Sequence, residues 1–445
     1  MLDARGNPVS TRSADALAAT ECALWRMMSF YGTPIDDLAQ ARAADPDWSL
    51  PLLMHAGFLL SLTEPSLQAE ARALIERAQA LAARGNERER AHGAALGTLL
   101  AGEWPAACDA WEALLLRHPR DALALQWAHL FDFYRGDAPS LRLRVARVLP
   151  EWDTGDALYP YVLGQYAFGL EECQLYAQAD DAGRRALGGS AKVPWAIHAV
   201  AHVMEMQGRH LEGGAWMTQW RGDWVEGNGF SGHLGWHHAL FALEALDHET
   251  ALQLFDAHLR PDPTRITLQR LDAAALLWRL HLLGVDVGPR WAALAAGWDL
   301  SVQGAGLYAF NDLHALLALI GSGDIAGAQA WARQVTTHAE RSGGSNRAVA
   351  SDVGAPLMRG MLAFAHGRFD AAIEALYPVR ALAGRLGGSH AQRDLIDQTL
   401  IACAARATDP CVGRALVNER RLVKPLTPLT EHWIARLGAR RTMWP

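Results

Sequence analysis

Lysine is almost missing from this chain. Lys192 and Lys424 are the only two in 445 residues, so arginine carries nearly all the positive charge. We read that as a coding bias without functional content. Cysteine is scarce too. Cys22, Cys108, Cys173, Cys403 and Cys411 are odd in number, widely spaced and mostly on apolar faces. That excludes a disulfide framework or a C-x-x-C metal knuckle and leaves reduced core thiols. No dense basic stripe exists, and the net charge of −7 is spread along the chain, so nucleic acid is not an expected partner. No uninterrupted apolar run reaches about eighteen residues, the length a membrane span requires. The opening MLDARGNPVSTRSADAL has no apolar core of signal-peptide kind. The expected compartment is the cytoplasm.

What the chain does have is rhythm. Half of its residues are hydrophobic and a fifth charged, ordinary for a folded protein. Ala/Leu-rich segments alternate with short Gly, Pro or Asp breaks, and none alternates with period two, so the pattern is helix-turn-helix. One unit is explicit: Gly102, then Trp104, Pro105, Ala107, Trp111, Leu114, Leu115 and Pro119. Glycine ends one helix, an aromatic opens the next, and small Ala107 permits close packing. The 3, 4, 3 spacing recurs at Ala138-Leu141-Val145-Val148, Tyr176-Ala179-Gly183-Ala186, His210-Gly213-Met217-Trp220 and His248-Ala251-Phe255-His258. Later copies begin at Ile325 and Phe369, and 284–296 should hold a degenerate one. Starts at 104, 138, 176, 210 and 248 step by 34, 38, 34 and 38 residues. This is the tetratricopeptide period. It predicts an all-α fold, an α-α superhelix of tetratricopeptide-repeat-like solenoid kind. We expect repeats over 86–385, a helical cap over 1–85 and another over 386–445, in one continuous solenoid. Most of the seventeen tryptophans, among them Trp111, Trp278 and Trp291, read as contacts between helix pairs.

The polar residues within this rhythm are less ordinary. A first helix over roughly 194–207 places Trp195, His198, His202 and Glu205 at offsets 0, 3, 7 and 10, on one face. Ala201 falls on the opposite, packing face. The next first helix, roughly 232–245, carries His233, Trp236, His237 and Glu244. The preceding one offers Tyr161, Gln165 and Glu171 or Glu172. Further along, Asn311-Asp312-Leu-His314 and His390-Ala-Gln392-Arg393-Asp394 each open a helix. In folds of this kind first helices line the concave groove, side by side at about 8–10 Å.

Two chemistries suit such a set. Two histidines at i, i+4 with a carboxylate one turn on can hold Zn²⁺ or Fe²⁺; His198, His202, His233, His237, Asp312 and His314 are the candidate ligands. Without a metal, His202, Glu205 and His237 can run acid–base chemistry on a small polar molecule. Trp195, Trp236, Tyr161, Gln165, Asn311, Gln392, Arg393 and Asp394 would contact that molecule, with Arg393 taking an anionic group. The bland alternative is a buried network in which these groups satisfy one another. No H-E-x-x-H, G-x-S-x-G or phosphate-binding loop is present.

The segments HAVAHVMEM (198–206), HLGWHHAL (233–240), LYAFNDLHAL (307–316) and LGGSHAQRDL (386–395) resemble the tetratricopeptide repeat protein 38 family. So do EWPAACDAWEALLLRHPRDALAL and the tail VNERRLVKPLTPLTE (417–431). The resemblance runs from about residue 15 to 440 and implies the repeat fold. It implies no reaction, because the family is named for its repeats. Two expectations follow: a His/Glu/Trp-lined pocket for a small polar molecule, with or without metal assistance, or a non-catalytic scaffold that takes a peptide or protein partner in its groove.

Overall fold

Each of the seven second helices that the repeat pattern places begins at the named residue: Trp104, Ala138, Tyr176, His210, His248, Ile325 and Phe369. The turns before them are alike. Two positions upstream stands a residue in the left-handed region: Gly102, Gly136, Gln174, Gly208, Leu246, Gly323 and Gly367, with φ from 59° to 85°. Glycine meets no Cβ penalty there, whereas Gln174 and Leu246 do. The next residue donates its N–H back to the helix just ended, as Arg209 does to Met204 at 2.8 Å and Asp247 to Ala242 at 2.9 Å. Such a bond caps carbonyls that the helix end leaves open.

The structure is a computed structural model and describes residues 1–189, 192–261, 266–301, 304–341, 343–424 and 427–438. The fold is all-α, of the α-α superhelical repeat kind, and the described residues contain two isolated bridges but no strand. Two compact units divide the chain. The first holds 1–200 with 222–230 and 343–345. Its helices are α1 (Ala14–Ser29), α2 (Ile35–Ala44), α3 (Leu50–Ser61), α4 (Gln68–Ala80), α5 (Glu87–Leu100) and α6 (Trp104–Leu115). They continue as α7 (Ala122–Tyr134), α8 (Ala138–Val148), α9 (Tyr159–Glu172) and α10 (Tyr176–Gly189). The division falls within α11 (Pro194–Met206), between Val200 and Ala201.

The second unit holds α12 (His210–Gln219), α13 (Ser231–Glu244), α14 (His248–Leu254), α15 (Thr267–Leu282), α16 (Arg290–Ala295) and α17 (Ala309–Gly321). It continues with α18 (Ile325–Arg341), α19 (Asn346–Val349), α20 (Ala355–Ala365), α21 (Phe369–Leu376), α22 (His390–Ala404), α23 (Cys411–Val423) and α24 (Pro428–Leu437). The degenerate copy expected at 284–296 is the short α16, which buries Trp291 and Leu294.

Within each unit the apolar stripe of a second helix is buried against its neighbours. Trp111, Val145, Ala179, Met217, Phe255 and Leu376 are fully enclosed. Small residues sit where helices press together: a Cβ on Gly213 would lie 2.2 Å from the Phe241 ring. Of the five cysteines, Cys108 and Cys403 are buried as expected, but Cys22 and Cys411 are exposed. No described helix is long and apolar enough to cross a membrane. In the second unit α13 packs on α12, α14, α15 and α24, while α15 also meets α17 and α22. That arrangement sets α13 among four other helices of the unit.

Candidate metal centre

His233 and His237 stand one turn apart on α13, and His202 and Glu205 share a face of α11. His237 is wholly buried, with Nδ1 3.1 Å from Glu205 Oε2. His233 Nδ1 lies 2.8 Å from Asp272 Oδ2, on α15. The two Nε2 atoms meet each other at 3.2 Å. The His202 ring closes the group, its centroid 4.4 Å from that of His237. One nitrogen from each of His202, His233 and His237 lies within 4.8 Å of the other two. Trp236 forms a wall, stacked on His233 at 5.3 Å and edge-on to His237 at 4.7 Å.

Hydrogen-bond logic fixes the tautomers. A carboxylate only accepts, so Nδ1 of both His233 and His237 must carry the proton and donate. With both rings neutral, each Nε2 presents a lone pair toward the other, and a cation between them would be held by both. Burial, then the neighbouring His202, His233, Arg279 and Lys424, hold His237 well below the usual histidine range. Imidazoles oriented by carboxylates through Nδ1, with Nε2 converging, form the donor set that transition metals take.

Behind the imidazoles runs an ion-pair network. Lys424 Nζ is 3.0 Å from Glu244 Oε1 and 3.6 Å from Glu205 Oε1. Arg420 bonds Glu244 and reaches Asp394 Oδ1 at 3.0 Å. Burial opposes both cations, but the carboxylates outweigh it and raise Lys424 above its ordinary range. The cations of Arg420 and Lys424 hold Glu244 low despite its burial. One of the chain's two lysines thus braces the carboxylate that orients His237.

The remaining expected residues take varied places. In the second unit, Gln392 caps α22 by accepting the Ser389 N–H at 3.0 Å, and its Nε2 donates to Asp272 Oδ1 at 3.3 Å. It therefore supports the centre through Asp272. Asp394 is paired with Arg420 and accepts from Gln398 at 2.6 Å. Arg393 donates to the Gly388 carbonyl. Asn311 is buried on α17. Asp312 accepts the Gly306 N–H at 3.2 Å, and burial pushes its carboxyl up to about 7. His314 donates from Nδ1 to the Phe310 carbonyl at 2.8 Å, and burial lowers it to about 4. Its Nε2 has no partner among the described residues.

In the first unit, Tyr161 Oη accepts from Trp25 Nε1 at 2.9 Å, and Gln165 donates to Gln126 at 2.5 Å. Trp195 and His198 belong to an aromatic cluster with Phe168 and Phe230, ring centroids 5.0–5.1 Å apart. Reading the sequence missed Asp272, Arg279, Arg420 and Lys424. A signal was present for the first two, an acid and a base seven residues apart in the mostly apolar LDAAALLWRLHLL.

No family model matches the chain. Among solved structures it is similar to a tetratricopeptide repeat protein from Parabacteroides merdae, at 13% identity over 62% of this chain and 97% of that one, TM-score 0.33. It is also similar to the APC/C hetero-tetramer Cut9-Hcn1, at 12% identity over 95% of this chain and 73% of that one, TM-score 0.47. A third is yeast Tom70, at 12% identity over 95% and 86%, TM-score 0.37.

Proposed function

We propose that this protein binds a divalent transition metal, Zn²⁺ or Fe²⁺, on His202, His233 and His237, and there handles a small polar molecule. The observation that carries this reading is the 3.2 Å approach of two Nε2 atoms on rings whose Nδ1 atoms are held by Asp272 and Glu205. Three imidazoles leave further coordination positions open, and a metal so held supplies Lewis acidity. The chain's own groups do the rest. Glu205 and Asp272 fix the imidazole planes, Lys424 and Gln392 fix those carboxylates, and Trp236 excludes water on one side. Zinc titration of metal-free, tagless protein against a chromophoric chelator tests the idea. One tight equivalent is expected, with His233→Ala and His237→Ala each weakening it at least about tenfold. Equal affinity in wild type and both variants would remove the centre.

A second reading, a scaffold for a peptide partner, is favoured by one feature of the first unit. An open groove of about 450 Å³ is lined by Leu149, Tyr159, Leu163, Tyr166, Leu170 and Arg185. Substituting Tyr159 and Tyr166 with serine would weaken capture of such a partner and leave metal binding untouched.

A further inference from the structure

Asp272 divides its two oxygens between two helices. Oδ2 holds His233 Nδ1 at 2.8 Å, and Oδ1 accepts from Gln392 Nε2, on α22, at 3.3 Å. With 1% of its surface exposed, Asp272 depends on such neighbours for its orientation. The Gln392 amide is not free to turn over. Its Oε1 accepts the Ser389 N–H at 3.0 Å, and a backbone N–H can only donate. Nε2 is thereby left for Asp272, which as a carboxylate can only accept. Gln392 is also the N3 residue of the α22 capping box, its own N–H bonding Ser389 Oγ at 3.2 Å. Glutamate serves such a box as well as glutamine does, but here it would set a second acceptor against Asp272. The cap admits either residue; the bond to Asp272 requires the amide.

Arg279 fixes the backbone beneath that amide. It lies on α15 two turns beyond Asp272, also 1% exposed. Nη1 donates to the Ala275 carbonyl of its own helix at 3.0 Å. Nη2 donates across to α22, to the carbonyls of Ala391 at 2.6 Å and Gln392 at 3.4 Å. One guanidinium thus ties two helices, a task for a planar fork of several donors and not for the point charge of a lysine. The helices have a second tie, from Trp278 Nε1 to Thr399 Oγ1 at 2.9 Å.

We infer that Arg279 is a positioning residue of the metal centre: it seats the first turn of α22 so that the Gln392 amide holds Asp272, and Asp272 holds the His233 imidazole. This rests on the metal reading and goes beyond it by adding a support that acts only through other residues. The requirement is specific. A change that keeps α22 capped but removes the amide donor releases Asp272, and a change that loosens the Arg279 fork does the same from behind.

The test uses full-length protein loaded with Co²⁺, in which the exchangeable Nδ1–H protons of bound imidazoles give strongly shifted NMR signals. His233→Ala identifies the signal of His233. In Gln392→Glu and in Arg279→Lys that signal is expected to move and to exchange faster with water, and zinc affinity to fall about tenfold. The double variant should bind zinc no more weakly than Gln392→Glu alone, because Arg279 acts through Gln392. If Co²⁺ binds and the His233 signal is the same in Gln392→Glu as in wild type, Gln392 only caps its helix; the inference is overturned and the metal centre stands. Losses that multiply in the double variant overturn it too. If Arg279→Lys does not fold, an unchanged His233 signal in Gln392→Glu still overturns the inference. If Co²⁺ does not bind the wild-type protein, the metal reading falls and the inference with it.

Discussion

His233 Nε2 and His237 Nε2 face each other at 3.2 Å while their Nδ1 atoms are held by Asp272 and Glu205. Metal affinity should therefore depend on carboxylates that touch no metal. Glu205→Gln and Asp272→Asn free the imidazole tautomers and should each cost about 10–100-fold in zinc affinity, read by chelator competition. Unchanged affinity in both would mean that the imidazoles need no orientation.

Lys424 lies between two buried carboxylates, 3.0 Å from Glu244 and 3.6 Å from Glu205. Removing one partner of a buried pair leaves an uncompensated charge. Lys424→Met should therefore destabilise the protein by about 3–5 kcal/mol in urea unfolding. The double change with Glu244→Gln should be milder than the single one. An additive double mutant would show that the pair is not coupled.

Leu246 adopts φ 59° at the turn position that Gly102, Gly136, Gly208, Gly323 and Gly367 fill in five other hairpins. Leu246→Gly should relieve the strain and stabilise by about 1 kcal/mol, and Gln174→Gly, at φ 62°, should act alike. Thermal unfolding reads the gain. The opposite change, Gly208→Leu, should lower stability, since a Cβ there would also lie 2.9 Å from the Lys424 backbone.

Stability should weaken in mild acid. Burial lowers His129 to about 3 and His314 to about 4, against about 6.5 in an unfolded chain. The unfolded state thus binds more protons below about 6.5. Their contribution is complete above that pH and is lost as pH falls toward the folded values, by up to about 1.4 kcal/mol per pH unit for each group. His129→Gln should flatten the slope between pH 6.5 and 4.

Asp312 has the opposite sign. Its folded carboxyl, pushed up to about 7 by burial, keeps a proton that the unfolded chain releases near 3.9. The cost of Asp312 therefore grows as pH rises from about 4 to 7. Asp312→Asn should stabilise at pH 8, by about 2 kcal/mol, and much less at pH 4. A gain that is the same at both values would contradict the assignment.

Much of this was legible in the sequence, for identifiable reasons. The 3, 4, 3 spacing marks the second helices because each must bury one stripe, and a left-handed residue with its back-bond punctuates each hairpin. His202, Glu205, His233 and His237 were legible because helical period alone decides which residues share a face. Asp272, Arg420 and Lys424 were not, since they reach the site from α15 and from the C-terminal end of α23, tens to hundreds of residues away. Periodicity carries no information on such tertiary contacts. Tyr161 and Gln165 show the converse. Their position on a face was readable, but Trp25 and Gln126, distant in sequence, are what they bond.

X-ray absorption at the zinc edge, on tagless protein carrying one equivalent, tests the centre most directly. We predict imidazole scattering from three nitrogens at about 2.0–2.1 Å with at least one further light-atom ligand, reduced to two imidazoles in His237→Ala. Sulfur ligation, or a spectrum unchanged by removal of His237, would contradict the account.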